Sequence, residues 1–252
     1  MNQPKYTVLK LKKALYGTKQ ATQCWWLHLK GILQQIGFKS SGEDQSTYFY
    51  HSSKGQAMLW IHVDNGALAG LSASVIDFIF SKLDQHLQIK WDKKISGLVG
   101  LSIKQNDTGF NFNKTAFIDK LTNILESRIT ARSPLPQNCN LLLNPSKEMD
   151  KEYLKRIGML LYIAQGKRPD ISYVVNYLAR FSIGTTLAHW EALEHLIGYL
   201  RNTMNSSLQI SEDEKPNALQ CYVDTNWGGE GNRSTHGFVI LHGGNPIAWQ
   251  SK

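Results

Sequence analysis

Two aspartates stand where a carboxylate could reach a metal ion. Asp64 lies in His62-Val63-Asp64-Asn65-Gly66, between two β-rich runs, so its side chain would leave a sheet at a hairpin tip. Asp224 ends the apolar run Tyr222-Val223-Asp224, ahead of the bend Trp227-Gly228-Gly229 and the polar stretch Arg233-Ser234-Thr235-His236-Gly237. Phosphoryl transfer on two divalent ions needs at least two or three convergent carboxylates. Asn65 is neutral, so each place offers one, and an Asp beside Asn-Gly is also plain turn chemistry. A third candidate is Tyr16-Gly17-Thr18-Lys19-Gln20. A glycine and a lysine at the start of a helix permit close backbone approach and a positive helix end, suited to a nucleotide or a template strand. His189 and His195 are six apart on a helical stretch and do not share a face. No CxxC pair, nucleophile elbow, GxxxxGK[ST] or GxGxxG occurs.

Periodicity supplies the elements that would position these groups. Trp25, Leu29, Leu33 and Ile36 recur at helical spacing through 20–36, with Gly37 placed to stop the helix. Thr47–His51 and Ala57–Val63 read as a hairpin. A further turn at Asp64-Asn65-Gly66 leads into Ala67-Leu68-Ala69. Ser72 is placed to cap a helix whose stripe is Val75, Ile79, Leu83 and Leu87. Another hairpin turns at Asn106–Gly109, and 115–126 reads as helical. Pro134, Pro136 and Pro145 mark 127–150 as a linker. Helices are expected over 151–166, 169–182 and 186–203. Strands are expected over 208–211, 219–224, 237–241 and 247–250.

Composition sets the class. With 42% hydrophobic and 19% charged residues over 252 positions, the chain can bury one or two cores. It has no run near the ~18 apolar residues of a membrane span and no secretory leader, so an intracellular protein with no membrane partner is expected. Its three cysteines are widely separated, which points to reduced thiols. The net charge is +8, and seven lysines (5, 10, 12, 13, 19, 30 and 39) precede the first acid, Glu43. That asymmetry suits a phosphate-bearing partner as well as an ordinary solvated basic face.

In their order, these pieces resemble the copia-type family of LTR-retrotransposon polyproteins. Leu11-Lys12-Lys13-Ala14-Leu15-Tyr16-Gly17-Thr18-Lys19-Gln20-Ala21 is similar to that family's LKKALYGLKQA. His62-Val63-Asp64-Asn65 falls at its YVDD turn, and Gly97–Ile103 at its primer-gripping segment. Arg168-Pro169-Asp170-Ile171-Ser172-Tyr173 resembles its TRPDISY and His189-Trp190-Glu191-Ala192 its HWEA. Tyr222-Val223-Asp224 resembles the start of its ribonuclease H domain.

The resemblance implies RNA-directed DNA synthesis with ribonuclease H, a template–primer partner and Mg2+. It assigns Asp64 and Asp224 as metal-site remnants, Asn65 as a lost ligand, and Tyr16, Gly17, Lys19 and Gln20 as nucleotide or template contacts. It implies an α+β fold in four parts. A truncated polymerase palm and thumb without fingers, its sheet antiparallel or mixed, covers 1–126, and a linker 127–150. A helical middle region covers 151–206, and an incomplete ribonuclease H-like sheet 207–252, with an unpaired edge. The family's upstream Asp and its SSxEAEY glutamate fall outside these 252 residues, so catalysis by this chain alone is not expected. A non-catalytic nucleic-acid-binding module using the basic segment is the alternative.

Overall fold

The computed structural model describes residues 10–124, 129–211, 218–228 and 234–252. Lys5, the expected helix end at 125–126, the first linker residues 127–128, Gly229 and Arg233 lie outside them. The chain packs as two compact units, 1–93 and 94–252. Among the described residues the fold is α+β, with six α-helices and three antiparallel sheets.

In the first unit, helix α1 (Lys19–Ile36) ends at Gly37, whose φ of 107° is the left-handed conformation that lets its N–H return to Leu33 and Gln34. Four strands come next as a meander: β1 (Phe38–Ser40), β2 (Thr47–Ser52), β3 (Gly55–His62) and β4 (Asn65–Gly70). Helix α2 (Ala73–Asp84) is capped by Ser72, which accepts from the Val75 N–H. Leu29, Ile32 and Leu33 of α1 and Val75, Ile79 and Leu83 of α2 bury against Tyr48, Tyr50, Ala57 and Leu59 of the sheet. Each such fully buried aliphatic contributes roughly 1.5–3 kcal/mol. Gly70 lets α2 lie close, because a Cβ there would sit 2.8 Å from Val75 Cγ1 and 2.9 Å from Ile76 Cγ1. Trp25, expected in the buried stripe of α1, stays 38% exposed.

The β3–β4 turn differs from expectation by one residue. His62 pairs with Asn65, so the tip is Val63-Asp64, and Asn65-Gly66 already belong to β4. This register places Tyr48, Leu59 and Leu68 opposite one another, with Leu59 buried and Leu68 packed on the same core. Slipping it by one residue would turn that face to solvent. Inner-face packing therefore overrides the local turn preference of Asp-Asn-Gly.

The second unit opens with β5 (Gly97–Leu98), β6 (Leu101–Asn106), β7 (Gly109–Asn113) and helix α3 (Thr115–Ile124). Helix α4 (Lys151–Lys167) is capped by Asp150, whose Oδ1 accepts from the Glu152 and Tyr153 N–H groups at 3.0 Å. The expected 169–182 helix is a 3-10 turn, Pro169–Ile171, followed by α5 (Ser172–Ala179); α6 spans Leu187–Asn202. These helices share one core, including Ile118, Tyr153, Leu160, Ile171, Leu178 and Leu193.

The proline-rich stretch ahead of α4 lies against this core. Leu141 is buried in it. The His189 and His195 imidazoles donate to the carbonyls of Leu142 (3.1 Å) and Ser133 (3.0 Å). Strand β8 (Leu208–Ser211) pairs with β7, completing the sheet β5-β6-β7-β8 across the helical insertion. The last sheet, β11-β10-β9, comprises β9 (Leu219–Asn226), β10 (Thr235–His242) and β11 (Asn245–Ser251). Among the described residues no strand pairs with the outer edge of β9, and all eight of its residues are exposed. The sheet is held to its unit by bonds from Trp249 Nε1 to the Ala164 carbonyl (2.9 Å) and from Arg180 to Thr235 Oγ1 (2.7 Å). The Asn245 carboxamide donates to the Ser211 carbonyl.

Candidate functional site

Two separate places carry the residues singled out from the sequence, one in each unit. In the first, Leu15-Tyr16-Gly17-Thr18 forms a turn closed by the Thr18 N–H on the Leu15 carbonyl at 3.2 Å. Gly17 has φ 88°, the conformation a type II turn needs at its third residue. Tyr16, at the second position, is thrown outward and is 99% exposed. Lys19 and Gln20 begin α1, also exposed, with no acidic residue in that first turn.

The Asp64 tip belongs to the same unit. Asp64 is exposed, and its Oδ1 accepts from the Asn65 carboxamide at 3.3 Å. Val63 has φ 57°, whereas Asp64 is not among the residues of positive φ, so the tip has the type II′ pattern with valine at the glycine position. Trp25 of α1 donates its indole N–H to the Val63 carbonyl at 2.8 Å. His62 stacks on Trp60, ring centroids 5.8 Å apart.

In the second unit, Asp224 lies on β9 directly opposite Gly237 of β10. It faces a trough of about 530 Å3 between the start of α5 and the sheet, lined among others by Tyr173, Tyr222, Thr235 and Ser251. Sequence reasoning missed Tyr173, because no local pattern links it to a strand fifty residues later. The neighbouring Arg168-Pro169-Asp170 motif is a structural joint. Arg168 bonds Asp170 in a fork (2.8 and 2.7 Å) and reaches Thr203, while the Tyr199 hydroxyl donates to Asp170 at 2.8 Å. Burial pushes the Asp170 carboxyl up, but the Arg168 bonds outweigh it and hold the group below the usual range.

The test for Mg2+ fails on the donor set. A hard divalent ion takes six oxygens, and a two-metal centre gathers several carboxylates. Asp64 has for its neighbour an amide that turns N–H, a donor, towards it. No group of three or more His, Cys, Asp or Glu gathers anywhere among the described residues. The described residues do not form a two-metal site.

A family model for reverse transcriptase (RNA-dependent DNA polymerase) matches residues 1–134, and the chain belongs to that family. Its relatives specify the branch, copia-type retrotransposon polyproteins. Over its full length the chain is 31% identical to the retrovirus-related Pol polyprotein from transposon RE1 of Arabidopsis thaliana. It is 26% identical over 98% of its length to the polyprotein from transposon TNT 1-94 of Nicotiana tabacum. It spans 17% and 20% of the length of these two proteins. With the putative transposon Ty5-1 protein of Saccharomyces cerevisiae it is 30% identical over 97% of its own length and 82% of that protein's. No solved structure matches the chain. No helix among the described residues is long and apolar enough to cross a membrane.

Proposed function

We propose that this chain carries the palm region of a copia-type reverse transcriptase and the first strands of a ribonuclease H-like domain, and that it does not catalyse by itself. The observation that carries this reading is the carboxylate count. Asp64 stands alone at the polymerase turn beside neutral Asn65, and Asp224 stands alone on β9. Each missing charge-stabilising group typically costs several kcal/mol of transition-state stabilisation, and losses around the same metals compound. On this reading β9, β10 and β11 are the opening strands of the nuclease sheet, and the trough beside Asp224 is its inner face.

What remains is binding of a template–primer duplex. The exposed lysines 10, 12, 13 and 19 with the outward Tyr16 favour it, a surface of charge and an aromatic face suited to phosphate and base. Affinity should fall steeply with added salt.

Primer extension on an RNA template with Mg2+ or Mn2+ tests the catalytic half, with folding confirmed by circular dichroism and Asp64→Ala as control. The folded chain should extend no primer. Extension abolished by Asp64→Ala would overturn the reading. Salt-independent retention of the duplex would remove the binding role.

A further inference from the structure

We propose that Trp25 is a positioning residue. Its indole N–H holds the left-handed Val63 carbonyl and so fixes the turn that presents Asp64. The inference rests on the reading of that turn as the polymerase tip.

The physical basis starts from a conformational cost. A β-branched residue in the left-handed region is crowded against the following carbonyl, which disfavours it. The next two residues, Asn65 and Gly66 beyond Asp64, accept that conformation far more readily, yet they lie in β4. Strand register, anchored by Leu59 and Leu68, moves the tip onto Val63 and leaves the cost to be offset from elsewhere.

The offset comes from a helix 38 residues away in sequence. The 2.8 Å bond from Trp25 Nε1 to the Val63 carbonyl favours the held turn by roughly threefold to tenfold, comparable to the strain. Because the two terms are comparable, loss of the bond lets the tip sample other turns. Trp25 lies outside the buried cluster, 38% exposed with its ring tilted against His28, so only a change that keeps the ring isolates the indole N–H.

The second unit repeats the arrangement independently. Val99 is also left-handed (φ 48°) at a two-residue tip, between β5 and β6, and its carbonyl accepts from the Tyr162 hydroxyl of α4 at 3.5 Å. A helix-borne aromatic thus stands beside a left-handed valine at both tips, with a short bond to the valine carbonyl at Val63 and a long contact at Val99. In the first unit it also couples two candidate contacts, because α1 starts at Lys19 and holds the Asp64 turn through Trp25.

Amide hydrogen exchange at Asn65, which closes the tip opposite His62, read by NMR in the full chain, tests this. Trp25→Phe keeps an aromatic ring and removes the donor. It should speed exchange at the tip about fivefold and broaden the Asp64 side-chain carboxyl resonance, while the global folding constant falls by no more than the same factor. Adding Val63→Gly, which needs no latch, should restore both signals. An unchanged tip in Trp25→Phe would overturn the proposal. So would faster exchange that Val63→Gly fails to restore, since the ring would then act only by packing. Neither readout depends on primer extension, so failure of the polymerase reading and failure of the latch are distinguishable.

Discussion

The two valine tips are alike at the valine and differ in the residue after it. Beyond Val99 comes Gly100, also left-handed at φ 73°, against which the Tyr162 hydroxyl sits so closely that a Cβ would collide with it. Beyond Val63 comes Asp64, whose side chain is open to solvent. The first arrangement closes a sheet onto a helix; the second exposes a carboxylate on a rigid support. The holding residues differ in the same sense. Tyr162 also lies beneath the Lys114 ammonium (3.3 Å to the ring), accepts that ammonium's bond on its own carbonyl at 2.8 Å, and stacks edge-on with Phe117 at 5.0 Å. For Trp25, the tip carbonyl is the long-range bond it makes. Removing one should therefore unsettle a unit, and removing the other only a turn.

The largest expected contrast is in pH dependence. Lys114 and Lys167 are buried in the second unit with carbonyls as their acceptors, Lys167 on Ser206 at 2.6 Å. Burial, followed by the nearby Arg168 charge, pulls the Lys167 ammonium down to about 8. Between that value and its ordinary 10.5, the unfolded chain holds a proton that the folded chain has released, so stability rises with pH across this window. The gain for the second unit should reach up to about 3 kcal/mol over the whole window, about 2 kcal/mol of it between about pH 7.5 and about pH 9.5. Denaturation at about pH 7.5 and about pH 9.5 measures it, and Lys167→Met should flatten the difference. Below about pH 10 the comparison largely avoids the Tyr48, Tyr153 and Tyr199 hydroxyls, which burial pushes up and which act in the opposite sense at higher pH; the Cys139 thiol, also pushed up by burial, opposes the gain within the window.

Tyr162→Ala should destabilise the second unit by about 2–3 kcal/mol, below the cost of a fully buried aromatic because the ring is partly exposed. Trp25→Ala should cost less, about 1 kcal/mol, the worth of its one long-range bond, although its ring is no more exposed than that of Tyr162. Equal losses in urea denaturation would erase the distinction between the tips. Gly100→Ala should cost about 1–2 kcal/mol through its left-handed φ and the Tyr162 contact. The smallest effect is Val63→Gly, a change within about 0.5 kcal/mol, since relief of strain is offset by a freer unfolded chain.

Much of this architecture was legible in the sequence, because helices α1, α2, α4 and α6 and the hairpins obey strong local periods and caps such as Ser72 and Gly37. The illegible parts depend on contacts distant in sequence. The tip at Val63-Asp64 is set by Leu59 and Leu68 on a shared face, and β8 joins β7 across nearly a hundred residues. The packing of 129–149 rests on His189, His195 and Asn202, which looked like ordinary helix residues. At the candidate site, Asp64 on a hairpin tip could be read directly. The Trp25 latch could not, since a tryptophan at helical spacing looks the same whether it faces a core or a carbonyl.

The central claim, that one carboxylate at each site is too few, is tested most directly by calorimetric titration of Mn2+ into the folded chain. The account predicts no site tighter than about millimolar, the weak end for oxygen-ligand sites. A micromolar site that disappears in Asp64→Ala or Asp224→Ala would contradict it.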